Sequence, residues 1–175
     1  MNNQVTIRAE TPADGAMIRE VNTLAFGRDS EARIVEVLRE SPGFIPELSL
    51  VAEANGVIVG HALFSPVRVE AEDKTTELIA LGPIAVRPEW QRQGIGGQLI
   101  RAGIDRATAQ QHRAIILIGH PTYYPRFGFT PASAYGLKLP FSVPDDVFMV
   151  LPLRADGLAG ITGTVIYPPA FFEGS

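Results

Sequence analysis

The 175-residue sequence contains no cysteine. That removes disulfide bridges, a thiolate nucleophile and sulfur-ligated metals from consideration. Histidine is scarce as well. His61, His112 and His120 are scattered without metal-ligand spacing, so no metal is expected. Basic residues number 15 against 19 acidic, a net charge of −4 that lacks the footprint of a nucleic-acid binder. No apolar run approaches the ~20 residues needed to span a membrane, and MNNQVTIRAE shows no charged-then-apolar signal pattern. These absences lead us to expect a cytoplasmic protein with neither nucleic-acid nor membrane partners; a homodimer is compatible with them.

Apolar residues make up 46% of the chain, enough for one hydrophobic core, and the length suits a single domain over residues 1–175. QVTIRAE alternates like a short strand. Thr11-Pro12-Ala13-Asp14 has the spacing of a capping box and predicts a helix carrying Met17, Ile18, Val21, Leu24 and Ala25 on its inner face. SEARIVEVLRE predicts a second helix. Asn55-Gly56 between two apolar runs predicts a hairpin. ELIALGPIAV reads as a third long strand, in which Pro83 must interrupt the hydrogen-bond ladder. A helix to about Gln111, a buried strand at AIILIG, a short turn at TYYPRF and strands at GFT and DVFMVLPL follow. Residues 154–175 read as an irregular tail whose Val165, Ile166, Tyr167, Phe171 and Phe172 pack back on the body. The order of elements defines an α/β chain with a mixed sheet and a crossover helix.

PEWQRQGIGGQLI places Gly94, Gly96 and Gly97 at a helix start. Each glycine weakens a helix by about 0.5–1 kcal/mol relative to alanine. A helix start offers unpaired N–H groups and the positive end of the dipole, and glycines let a large anion approach the backbone. The stretch therefore reads as a phosphate loop to which Arg92 adds charge. It lacks the lysine of a Walker loop and the spacing of a dinucleotide fingerprint.

LGPIAVRPEWQRQGIGGQLI resembles the acetyl-CoA-binding motif of the GNAT superfamily of N-acetyltransferases: Ile84-Ala85-Val86-Arg87-Pro88, then Gln91-x-x-Gly94-x-Gly96. TIRAETPAD is similar to the family's opening strand and cap, and YYPRFGF to its Tyr-x-x-x-Gly-Phe segment. The likeness covers most of residues 4–153, and the tail GTVIYPPAF resembles a bacterial branch of predicted acetyltransferases. The resemblance implies the acyl-CoA N-acyltransferase fold, a central mixed sheet flanked by helices. It implies acetyl-CoA as co-substrate, with no metal, and a small-molecule or peptide amine as acceptor. It also implies that the backbone of Ile84, Ala85 and Val86 holds the pantetheine arm. Gln91, Arg92, Gln93, Gly94, Ile95, Gly96 and Gly97 would surround the pyrophosphate, and the amine would attack the thioester directly.

Direct attack needs a neutral amine and a proton for the departing thiolate. Tyr124, four residues before Gly128, is the implied acid, with Tyr123 its rival. His120 and Glu77 are the candidate bases; His61, among apolar neighbours, reads as structural. Neutralising a lysine-like amine at pH 7 costs about 4.6 kcal/mol, an α-amine only about 1.4, so a weakly basic acceptor lessens the need for a base. The rival readings are an acyl-CoA-binding sensor without turnover and a nucleotide- or phosphate-ester-binding protein using the same loop.

Overall fold

The computed structural model describes residues 4–173. The elements are β1 (Thr6–Ala9), α1 (Gly15–Phe26), α2 (Ser30–Arg39), β2 (Ser49–Ala54), β3 (Val57–Ala71), β4 (Lys74–Val86), α3 (Ile95–Ala109), β5 (Ala114–Ile118), β6 (Thr130–Pro131), β7 (Leu137–Lys138), β8 (Phe148–Pro152), β9 (Gly163–Ile166) and α4 (Ala170–Glu173). Hydrogen bonding orders the strands β1-β2-β3-β4-β5-β8-β6, with β9 beside β3 and β7 beside β9. The sheet is mixed: β4 and β5 are parallel, β2 and β3 antiparallel. The chain divides into two compact units, one of Met1–Ser65, Gly82–Arg106 and Pro169–Ser175, the other of Pro66–Leu81 and Ala107–Pro168.

In the first unit the β2–β3 hairpin turns at Asn55 and Gly56, whose φ values of 54° and 76° are both left-handed. That is the turn whose twist suits paired strands. The Asp14 carboxylate accepts hydrogen bonds from the Arg8 guanidinium (2.7 and 3.1 Å) and the Thr11 N–H (2.6 Å). The Arg8 bond is the main reason its pKa is held down at about 2. Ile18 and Val21 of α1 and Ile34, Val35 and Leu38 of α2 pack with Val51, Ile58 and Leu63. Met17 and Leu24, expected on the inner face of α1, are instead 39% and 46% exposed.

The polar Asn22 takes an inner position of α1 and is fully buried. Its Nδ2 donates to the Ile18 carbonyl (3.0 Å) and faces His61 Nδ1 at 3.4 Å. His61 Nδ1 is therefore the acceptor and Nε2 carries the hydrogen, which it donates to Ser49 Oγ at 3.0 Å. The Ser49 hydroxyl donates to Glu10, which Arg39 Nε binds at 2.8 Å. His61 is thus a buried structural link. Desolvation, helped by the positive charge of Arg39, lowers its pKa from 6.5 to about 3.

In the second unit β5 pairs with β8 along its whole length, and β8 with β6. Val67, Val69, Leu78, Ile116, Phe148 and Val150 are among the residues of its core. The expected irregular tail is corrected here. Residues 163–166 form β9, antiparallel to β3 through Arg68↔Ile166, Val69↔Val165 and Glu70↔Thr164. Val165 is buried and Tyr167 packs on this core. Farther on, Ala170 and Phe171 join the core of the first unit, whereas Phe172 is 52% exposed.

His61 makes stability depend on pH in a defined direction. As pH falls below about 6.5 the unfolded chain protonates this imidazole while the folded chain resists until about 3. Stability is fully present above pH 6.5 and falls as acid is added, by at most about 1.4 kcal/mol per pH unit from this group. His112, also lowered by burial, acts in the same sense, and Asp14 contributes only below about pH 4. In urea titrations from pH 7 to 4 we expect His61→Gln, which keeps a donor but cannot titrate, to flatten the slope. An unchanged slope in that variant would be incompatible with this origin.

Candidate active site

The β4–β5 ladder is short. Ile79 pairs with Ile115 and Ala80 with Ile116, and no further pairs form although β4 continues through Gly82-Pro83 to Val86. Proline has no N–H to give a ladder, so the interruption expected at Pro83 is present. Beyond Val86 a single 3-10 turn (Pro88–Trp90) leads into the glycine loop.

The loop makes two left-handed residues in three, Arg92 at φ 64° and Gly94 at φ 81°. A non-glycine residue in this region stores strain and clusters at functional sites. The loop is tied down by its own glutamines: Gln91 Nε2 donates to the Val86 carbonyl at 3.0 Å and Gln93 Nε2 to that of Glu89 at 3.4 Å. The first helical bond of α3 runs from Gln98 N to the Gly94 carbonyl at 3.0 Å. The N–H groups of Ile95, Gly96 and Gly97 have no partner among the described residues. Nothing lies within 4 Å of where a Gly94 β-carbon would stand. An exposed arginine and three N–H groups without a described partner, beside open space, are what a helix start can offer an anion.

Arg87 anchors the start of this segment, a role the sequence did not reveal. It stands at the variable position between Val86 and Pro88, where no pattern marks it. Its N–H donates to the Val59 carbonyl and its Nε to that of Ile58, both at 2.8 Å, and its guanidinium meets Glu20 at 2.8 Å. The pair also walls a surface cleft of about 390 Å³ with Met17, Glu89 and Trp90. Because Glu20 already neutralises Arg87 and Glu89 adds a negative charge, this cleft does not suit an anion.

In the second unit the remaining candidates lie at and beyond the ends of β5. The strand closes at Gly119, whose N–H donates to the Val147 carbonyl at 2.9 Å. His120 follows, exposed, its carbonyl accepting from Tyr123 N at 3.2 Å. A 3-10 turn (Tyr124–Phe127) ends at Gly128, φ 99°. The Tyr124 ring is held edge-on by Tyr123 (5.1 Å between centroids) and Phe129 (6.1 Å). Arg126 fixes Tyr123 in turn, stacking over its ring at 4.5 Å and donating to its carbonyl at 2.9 Å. Burial first, and Tyr123 second, push the Tyr124 phenol up to about 12, so it is protonated at neutral pH. Its hydroxyl bonds to no described residue.

Tyr124 and His120 are thus brought to one end of β5, and Glu77 is not. Extending the β4–β5 register places Glu77 level with Arg113, at the opposite end. Glu77 is exposed, and its charge acts on His112. Among the described residues no cluster of three or more histidine, aspartate or glutamate side chains could hold a metal, and no helix is long and apolar enough to cross a membrane.

Residues 17–129 match the sequence profile of the Acetyltransferase (GNAT) family. The chain is 39% identical over 142 residues to the uncharacterized N-acetyltransferase YjhQ of Escherichia coli K12, covering 81% of this chain and 78% of that protein. It is 36% identical over 166 residues to the uncharacterized N-acetyltransferase YhbS of the same strain, covering 94% and 97%. The crystal structure of Escherichia coli YhbS in complex with CoA superposes with a TM-score of 0.90 at 32% identity, covering 99% of this chain and 94% of that one. A GNAT family acetyltransferase from Brucella melitensis in complex with acetyl-CoA gives 0.79 at 34%, covering 97% and 99%. The chain belongs to the GNAT acetyltransferase family, and its mixed sheet flanked by helices is that family's fold.

The anchoring role of Arg87 has a thermodynamic signature. Arg87→Met keeps much of the stem but strands the Ile58 carbonyl, and we expect a loss of about 1–3 kcal/mol in urea unfolding. Glu20 is 57% exposed, so Glu20→Gln should cost under about 1 kcal/mol. Equal losses in the two variants would reject the anchoring role in favour of the ion pair alone.

Proposed function

We propose that this protein transfers an acetyl group from acetyl-CoA to the amine of a small molecule or peptide. The observation carrying the reading is the pair of left-handed residues, Arg92 and Gly94, opening onto the unpaired N–H groups of α3. Residues 91–97 would hold the pyrophosphate, and the backbone of Ile84, Ala85 and Val86 the pantetheine arm. That relatives have been crystallised with CoA and acetyl-CoA supports the same donor here.

In the proposed reaction the amine lone pair attacks the thioester carbonyl, forming the C–N bond. The C–S bond then breaks, and the sulfur takes its proton from the Tyr124 phenol. The proton leaving the amine passes to His120 or to water and returns to Tyr124 through solvent. The position of His120 favours it over Glu77 as the base. A second reading, an acyl-CoA-binding sensor without turnover, draws support from the exposure of His120 and the remoteness of Glu77 along the β4–β5 register. Thiol release from acetyl-CoA across a panel of amines separates the two.

Gly94→Val forces φ 81° on a β-branched residue without colliding with anything nearby. It and Gly96→Val should each weaken CoA binding at least tenfold by calorimetry while circular dichroism stays native. Unaltered CoA affinity in both soluble variants would displace the site from this loop. Tyr124→Phe should lower kcat by about 10²–10⁴-fold, the usual contribution of a general acid, with Tyr123→Phe losing far less. Should Tyr124→Phe turn over as fast as the parent with chemistry limiting, another group protonates the thiolate.

A further inference from the structure

We propose that Gly119 is a positioning residue for the reaction: the missing side chain at the end of β5 is the seat of the Tyr124 ring. A β-carbon on Gly119 would stand 2.5 Å from Tyr124 Cε2, 3.1 Å from Cδ2 and 3.3 Å from Cζ. Carbon atoms in contact prefer ~3.5–4.0 Å, so the ring would have to move.

The backbone gives no other reason for glycine here. Gly119 is not among the glycines with positive φ, and its N–H makes an ordinary 2.9 Å bond to Val147 that any residue other than proline could make. What glycine supplies at this position is space, and the Tyr124 ring fills it. The ring is also in edge-on contact with Tyr123 and Phe129, and Tyr123 is itself clamped by Arg126. The ring is therefore bounded on several sides, and its hydroxyl points where the Gly119 backbone allows. An added methyl group would displace that hydroxyl by a fraction of an ångström to an ångström, a scale at which proton transfer and attack geometry are sensitive.

The inference rests on Tyr124 being the acid, and the two are separable. The stability readout needs no acceptor. Thermal unfolding is compared for the parent, Gly119→Ala, Tyr124→Ala and the double variant. Gly119→Ala should lower Tm in the parent, and should leave it unchanged or raise it when Tyr124→Ala has removed the ring. If Gly119→Ala alone does not fold, recovery of a folded double variant shows the same coupling. An identical effect of Gly119→Ala with and without the ring overturns the seat.

The activity readout uses acetyl-CoA and whichever amine of the panel gives the fastest thiol release. Gly119→Ala should reduce kcat at least tenfold with little change in KM for acetyl-CoA. It should cause no further loss in the Tyr124→Phe background, where the hydroxyl is already gone. An equal additional loss there would mean that Gly119 acts on something other than the phenol. If Tyr124→Phe itself leaves turnover intact, the acid assignment fails while the thermal coupling still decides the seat.

Discussion

The approach of α3 to β3 is the contact on which the placement of the glycine loop depends. A β-carbon on Gly103 would overlap the ring of Phe64, and one on Gly60 would crowd Ile95 and Leu99 at 3.1 Å. Removing both side chains lets the helix lie close to the strand. A glycine inside a helix costs about 1 kcal/mol relative to alanine, whereas complete burial of Phe64 returns about 1.5–3 kcal/mol. The close contact is therefore favourable, and it fixes α3 at Ile95 and Leu99, in its first two turns. The unpaired N–H groups of Ile95, Gly96 and Gly97 are consequently presented by a rigid element rather than by a mobile loop.

The parts of this architecture written in local sequence are those with local causes. Asn55-Gly56 shapes a hairpin because two adjacent residues take left-handed φ. The inner face of α2 follows from spacing alone, with Ala32, Ile34, Val35 and Leu38 all buried. The glycine loop is legible because its purpose is conformational. What escaped depends on distant partners. Asn22 is buried because His61, 39 positions later, gives it a polar neighbour, and apolar spacing cannot reveal that. β9 exists because residues 68–70 offer an edge almost a hundred positions upstream. Glu77 lies on the strand leading to the loop, which makes it a candidate by sequence. That strand is 13 residues long, and nearness in sequence becomes distance along it.

The distribution of charge shows which interactions the fold requires. Along α1 and α2, Arg19 pairs with Glu36 and Arg33 with Asp29 at the surface, and the exposed Arg28 pairs with the less exposed Glu31. Such exposed pairs contribute little. The helices are held instead by their apolar faces and by the chain Arg39–Glu10–Ser49–His61–Asn22. In that chain every buried side-chain polar atom but one, the acceptor Asn22 Oδ1, has a partner. Breaking any link would leave a buried polar group unpaired, at a cost of about 1–3 kcal/mol.

A chain with net charge −4 can host a polyanionic ligand only if the attraction is local. Under the proposed reading the glycine loop would supply it largely from the backbone. Three N–H groups and a helix dipole would act at hydrogen-bond range, and Arg92 would add one full charge. None of this requires a basic surface, which explains why overall composition points away from anions while residues 91–97 point toward one. The same economy operates at Tyr124. Its ring is located by the absence of an atom at Gly119 and by aromatic edges, with no hydrogen bond to the hydroxyl from a described residue. A phenol engaged by a protein acceptor would have to break that bond before serving a thiolate. If Tyr124 is the proposed acid, seating the ring by shape would leave the proton available while keeping the hydroxyl in one place. The two glycine positions are therefore different in kind. Gly94 is needed for a backbone angle that side chains resist, and Gly119 for a volume that another side chain occupies.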